Sequence, residues 1–471
     1  MHFKKIYSML IKFKNLKLYQ LLTFLLILFC ISILIFNLIN YDQRKAYDYE
    51  LIYWYVQGLP YQIPTPEQNP AYYHPPLPYF LPSIIDSLCD AKFQVDDLEF
   101  CDFLWHKISE IFQSLLFLVS ILYFYKIFNL ISPKYIEKSK KIFIFLLFFL
   151  IPTLNFKTFI MIRAEPYLVF LTSFLIFTIF SFFNDQDLKP SFTVKLGVTV
   201  GLMLLTKQSA LPIFLGLIPL FIVFLLKTKL DKKKVIVSLL TAVLISVIVG
   251  GWFYIYQYIN NGSIDSFPRE KVEFNFNNHE KNYYLSFNFS EVINQPVKFF
   301  KSPRMLQILY SDTWGDYWGY YSFEKGDYDS VPISNENINN LKRANLLAII
   351  PTFLIIFSFF YLLINSLYKI LIKKQKNEDF MILTLVLISF LQIGFFIYFV
   401  TVYPNYSSGT YNINADTVKA MYLSPLINFL TIFTSISFIK FIYNYRFLFR
   451  FIIIYCLFYL YSNFNVLTTN F

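Results

Sequence analysis

Charge is what this chain has least of. Asp, Glu, Lys and Arg make up 15% of its 471 residues, against about 25% in soluble domains. Hydrophobic residues make up 56% and aromatic ones 21%. A soluble core has no room for so much apolar surface, and several apolar runs reach or approach the roughly 20 residues that cross a bilayer. The chain therefore reads as an all-α polytopic membrane protein. Soluble enzymes, nucleic-acid binders and disordered regulators are excluded. Four histidines and four cysteines are too few and too scattered for a metal centre, and none has zinc-ligand spacing. Neither a Walker loop nor a dinucleotide fingerprint is present. Acids are nearly missing from the apolar runs, which disfavours a transporter with its ionisable groups near the midplane.

What is present orders itself along the chain. A basic start precedes a first span, Leu21–Ile39, and no small-residue cleavage site follows it, so the segment reads as a retained anchor. Later spans fall near 104–131, 141–157, 166–183, 194–207, 210–226, 235–258, 344–371, 380–402, 420–440 and 446–466, about eleven in all. With the N-terminus inside, about 24 of the 41 Lys and Arg fall on cytoplasmic segments, but only about 6 of the 30 Asp and Glu. The net charge of +11 is thus a signature of topology rather than of a nucleic-acid partner. Residues 195–226 form the ambiguous stretch, interrupted by Thr206-Lys207-Gln208-Ser209. Two short helices meeting at the outer face keep Lys227, Lys229, Lys232, Lys233 and Lys234 inside, which the charge rule prefers. The organisation reads as an N-terminal module over 1–257 with an outer loop at 40–103, a second outer loop over 258–343, and C-terminal helices over 344–471.

The polar residues gather at the outer face. The first loop carries Asp42, Asp48 and Glu50, then Gly58, then Tyr72-Tyr73-His74-Pro75-Pro76-Leu77. A carboxylate just past the first helix lies at the depth of a lipid phosphate, where it could take a proton from an acceptor hydroxyl. The plainer alternative is a set of solvated loop acids.

This arrangement resembles the GT-C superfamily of multi-pass glycosyltransferases, in its branch of lipid A aminoarabinose transferases and protein O-mannosyltransferases. Asp48 matches the early acid, Gly58 the glycine, and His74-Pro75-Pro76-Leu77 the Lys/His-Pro-Pro-Leu motif. Arg163-Ala164-Glu165-Pro166 and Gly201-Leu202 with Leu205-Thr206-Lys207 follow in family order. Asp48-Tyr49-Glu50 replaces the family's adjacent acidic pair. The resemblance implies a GT-C-like helical bundle in the plasma membrane, acting on the extracytoplasmic side. It implies a polyprenyl-phosphate-linked sugar as donor and a lipid, glycan or protein as acceptor. A soluble nucleotide donor is not needed, which agrees with the missing nucleotide motifs. Asp48 becomes the general base and Glu165 the second acid. His74, Arg163, Lys207 and Lys419 become candidates for the lipid phosphate, with the charge of His74 depending on pH. Glu50, Tyr73, Trp314 and Asp316 become candidates for the sugar. The resemblance fixes no cofactor and leaves a divalent cation open.

Each residue also has a plainer alternative: Arg163–Glu165 as an interfacial ion pair, Lys207 as a snorkelling lysine, His74 as a hydrogen-bonded loop histidine, Lys419 as a helix-start lysine. Trp314 and Asp316, within Ser311–Tyr321, read equally well as an interfacial belt or a turn. Cys89 and Cys101 lie 12 apart in an oxidising compartment, which permits a disulfide. The rival functions are a flippase or transporter of lipid-linked sugars, a catalytically silent assembly subunit of the same fold, and a polymerase or ligase of preassembled glycans.

Overall fold

The computed structural model describes residues 18–46, 48–59, 61–93, 98–264, 271–297, 304–321, 335–372, 376–403, 406–407, 410–411, 418–442 and 445–469. The basic N-terminal stretch, Tyr47, Asp416 and Thr417 lie outside the described residues. The protein is a polytopic helical membrane protein. Eight described helices are long and apolar enough to cross a membrane, nine if a bent pair counts as one span. That falls short of the eleven expected. Pro190–Leu204 has 15 residues and Arg446–Ser462 has 17, below the roughly 20 a bilayer takes.

The bent pair is Lys138–Leu150 and Thr153–Ile160, which meet at 71°. Apolarity alone reads one span over 141–157; Pro152 divides it, because a proline within a helix removes a hydrogen bond and clashes with the preceding turn. Residues 195–226 divide as the charge pattern requires, into Pro190–Leu204 and Leu211–Lys227 with a turn between them. Lys207 therefore stands at the turn that precedes a 17-residue helix, and Lys227 ends that helix, which is about 25 Å long at 1.5 Å per residue.

The Pro190–Leu204 helix packs against Lys232–Ser246 and the π-turn Val247–Gly251 that continues it. Glycine permits the approach. A Cβ on Gly250 would lie 2.1 Å from the Gly201 carbonyl oxygen and 3.0 Å from Leu204 Cβ. Gly250→Ala is expected to lower stability by about 1–3 kcal/mol, read as the thermal midpoint in detergent. An unchanged midpoint would mean that the two helices separate at little cost.

The first large loop is mostly helical. Tyr49–Gly58 buries Ile52, Tyr55 and Val56 on one face, the 3–4 spacing of an amphipathic helix. With Leu59, Tyr79, Trp105 and Ile162 they form a small core of their own. The Leu77–Phe93 helix is tied to Leu98–Ile131 by a Cys89–Cys101 disulfide. Removing it with Cys101→Ser frees a loop whose closure is worth about 3 kcal/mol, so the thermal midpoint should fall. Non-reducing mass spectrometry of the wild type should recover the linked peptides.

Part of the second large loop, residues 305–321, does not lie on the surface. Trp314, Tyr317, Trp318, Tyr320 and Tyr321 are all buried, in a core that runs continuously from Leu26 to Leu467. Below them the buried Lys157 donates to the backbone carbonyl oxygen and to the carboxylate of Asp312. Asp316 Oδ1 lies 3.9 Å from the same ammonium.

Candidate functional site

The bend at Pro152 and the end of the Thr153–Ile160 helix deliver Arg163 to the start of Ala164–Asp185. Arg163 and Glu165 are 5% and 2% exposed, so neither charge is left to solvent. Glu165 divides its two carboxylate oxygens. Oε1 accepts from Lys207 Nζ, while Oε2 lies 3.4 Å from Arg163 Nε. A buried carboxylate with both oxygens committed to cations is a clamp, and it holds the Lys207 turn and the Arg163 turn together.

Asp48 approaches the same guanidinium from the other side, its Oδ2 3.5 Å from Arg163 Nη1. It stands at the N-terminus of Tyr49–Gly58 with φ of 59°, in the left-handed region, and its side chain caps none of the helix amides. An aspartate tolerates that conformation better than most residues. Its side chain keeps 30% exposure against 2% for Glu165. Of the two acids on Arg163, Asp48 is the one that solvent or a ligand reaches.

His74 and Tyr73 complete one wall, their rings 4.2 Å apart. The motif holds its shape through backbone bonds: Leu77 N donates to Leu205 O at 3.0 Å, and Tyr55 Oη donates to His74 O at 2.7 Å. His-Pro-Pro-Leu is thus bonded directly to the segment that carries Lys207. His74 keeps partial solvent contact but sits within protein on nearly every side. Burial, with Lys207 and Arg163 nearby, pushes its pKa down to about 3. This corrects the expectation of a pH-dependent charge: the imidazole is neutral throughout the physiological range. Since the unfolded chain takes up this proton near pH 6.5 and the folded chain does not until about 3, the contribution favours folding above 6.5 and is lost as pH falls toward 3. The drop in thermal midpoint between pH 7 and pH 5 should be smaller in His74→Gln than in the wild type. Parallel curves would show that the imidazole titrates normally.

A tyrosine that sequence reasoning did not single out joins the cations. The Tyr422 ring lies 4.0 Å from Lys207 Nζ and 5.9 Å from Lys419 Nζ. Lys419 is 1% exposed, so its ammonium is withdrawn from solvent. The Tyr79 ring packs tilted against Tyr55 at 4.8 Å and edge-on to His74 at 6.2 Å. No motif flags Tyr79 or Tyr422; both come to the site through packing.

The remaining candidates lie elsewhere. Glu50 is exposed on the first turn of its helix. Trp314 and Asp316 belong to the Lys157 network: Thr153 Oγ1 donates to Trp314 O, and Asp316 Oδ2 accepts from Tyr321 N at 2.8 Å. That network supports the site from behind. Asp312 Oδ2 accepts from Ala420 N at 2.7 Å and Trp318 Nε1 donates to Val418 O at 3.0 Å, pinning the segment that carries Lys419 and Tyr422.

No family model, curated protein or solved structure matches this chain. Its chemistry must be read from the cluster itself. Among the described residues, no three His, Cys, Asp or Glu side chains are grouped so as to hold a metal ion. What the cluster offers is one accessible carboxylate, two cations held by a buried carboxylate, and a neutral imidazole between aromatic rings.

Proposed function

We propose that the chain is an inverting glycosyltransferase of the plasma membrane. It moves a sugar from a polyprenyl-phosphate carrier to a lipid, glycan or protein acceptor at the outer leaflet. The observation that carries this reading is the division of labour between the two acids. Glu165 is consumed in orienting Arg163 and Lys207, while Asp48 stands against the same guanidinium with its carboxylate accessible.

In this mechanism Asp48 accepts the proton of the acceptor hydroxyl as its oxygen attacks the anomeric carbon. The bond from that carbon to the phosphate oxygen breaks from the opposite face, inverting the centre, and the electron pair leaves on the lipid phosphate. Charge develops on that phosphate, and donors fixed in advance stabilise it without reorganisation. Arg163 supplies a planar fork suited to phosphate oxygens, and Lys207 a compact ammonium. Neutral His74 contributes one N–H donor and no charge. Glu165 keeps both cations aimed when the site is empty. The apolar helices whose ends frame the cluster suit a donor with a long hydrocarbon tail.

The test is to incubate the purified protein with a panel of polyprenyl-phosphate sugars and candidate acceptors, following lipid-phosphate release and glycoside formation by mass spectrometry. Arg163→Gln and Lys207→Gln should each weaken donor use by about 10-fold or more, the scale of a lost charged hydrogen bond. Unchanged kinetics in both would remove the phosphate half of the mechanism. Movement of the lipid-linked sugar across vesicles with no glycoside formed would favour a flippase instead.

A further inference from the structure

One buried polar network touches neither the Glu165 clamp nor the Lys157 pair. Gln43 lies in the short 3-10 turn Gln43–Lys45 that follows the first helix, Leu18–Asn40, five residues before Asp48. Its side chain is 2% exposed and makes three hydrogen bonds. Nε2 donates to Ile160 O at 2.6 Å and to Glu110 Oε1 at 2.9 Å, while Oε1 accepts from Ile162 N at 3.0 Å. The amide therefore grips the backbone immediately before Arg163.

Glu110 is fully buried on the Leu98–Ile131 helix, and its second oxygen accepts from Lys107 Nζ at 2.9 Å. The remaining donors of that ammonium go to Leu38 O at 2.9 Å, in the last turn of the first helix, and to Tyr41 O at 2.7 Å, just beyond its end. All three ammonium protons and both amide protons have partners. A fully satisfied buried network of this kind holds one arrangement of backbone. It links the end of the first helix, the turn leading to Asp48, and the residues leading to Arg163.

We infer that Gln43, oriented by Glu110 and Lys107, is a positioning residue that sets the separation between Asp48 and Arg163. Its catalytic consequence rests on the glycosyl-transfer reading; its geometric consequence does not. Gln43 is buried behind the Arg163 backbone, with all its hydrogen bonds to protein, so it acts on chemistry through where Arg163 and Asp48 stand. A misplacement of about 1 Å far from the reacting atoms costs on the order of 10²-fold in rate.

The test replaces Gln43 with Met, close in volume but without the hydrogen bonds, in the full-length protein in detergent. Hydrogen exchange by mass spectrometry should show faster exchange in peptides covering 160–163, by about tenfold or more for a lost hydrogen bond, with the Ala164–Asp185 helix unchanged. In the transfer assay, kcat should fall by about 10- to 100-fold with the donor KM nearly unchanged, and Gln43→Glu, which lacks the donor pair, should not restore it. Should Gln43→Met fail to fold, Gln43→Asn carries the same measurement, since its shorter amide cannot bridge Glu110 and Ile160. Unaltered exchange over 160–163 in a folded variant would overturn the brace. Faster exchange with wild-type kcat would overturn its role in positioning. If the wild type transfers no sugar from any donor, the functional reading fails, and the exchange result still decides whether Gln43 holds the Arg163 backbone.

Discussion

Asp48→Asn should lower sugar transfer by about 10²–10⁴-fold, the range that a positioned general base supplies, and leave the protein folded. Both halves follow from the geometry. The carboxylate caps no helix amide, and its contact with Arg163 Nη1 is long, at 3.5 Å, and partly exposed. An exposed or half-exposed ion pair contributes roughly 0–1 kcal/mol, so its loss costs little stability. Asparagine also adopts the left-handed backbone that this position requires, so the turn survives the exchange. Only the proton acceptor is lost. Turnover by mass spectrometry, donor binding and the thermal midpoint should therefore separate cleanly, with the first falling and the other two holding. Near-normal turnover in Asp48→Asn would leave the enzyme without its base and return the silent-subunit reading to the front.

The opposite signature is expected at Glu165. Glu165→Gln keeps the shape but removes the charge that two cations share, one at each oxygen. Breaking a buried pair by deleting one partner costs about 3–5 kcal/mol, because the charge left behind stays buried. Here Lys207 loses its carboxylate, while Arg163 keeps Asp48 at 3.5 Å. The thermal midpoint should fall steeply, and the protein that stays folded should also use donor less well, because its cations are no longer aimed. A double variant, Glu165→Gln with Lys207→Met, removes the stranded ammonium and should recover part of that stability; the thermodynamic cycle measures the coupling. If Glu165→Gln is as stable as the wild type, the clamp is not what holds the Lys207 and Arg163 turns together.

The motif positions suggest Asp48 as base and Glu165 as a second acid, but the sequence does not show which carboxylate stays accessible and which is shared between two cations. Burial and partners do. The same holds for His74: its identity was plain, but its charge state depends on how closely Lys207, Arg163 and the surrounding rings enclose it. Trp314 and Asp316 have the composition of a sugar platform, and packing instead places them beneath the site, against Tyr459 and Lys157. Gln43 had no signal at all, since a lone glutamine after an apolar span looks like any polar loop residue.

Local chemistry was enough for the class of the molecule. Apolar runs near bilayer length demand helices with their backbone groups satisfied internally. A Lys-rich turn beside a broken run divides residues 195–226 in two, whereas apolarity alone passes over the bend at Pro152 in a single run, 141–157, although a proline there has no amide to donate. These depend on neighbours within a turn or two. The assembly of Asp48, His74, Arg163, Lys207 and Tyr422 joins segments separated by up to hundreds of residues. Which of those charges is paired, which is neutral and which faces outward depends on the dielectric and the partners that packing supplies, and composition carries no record of either.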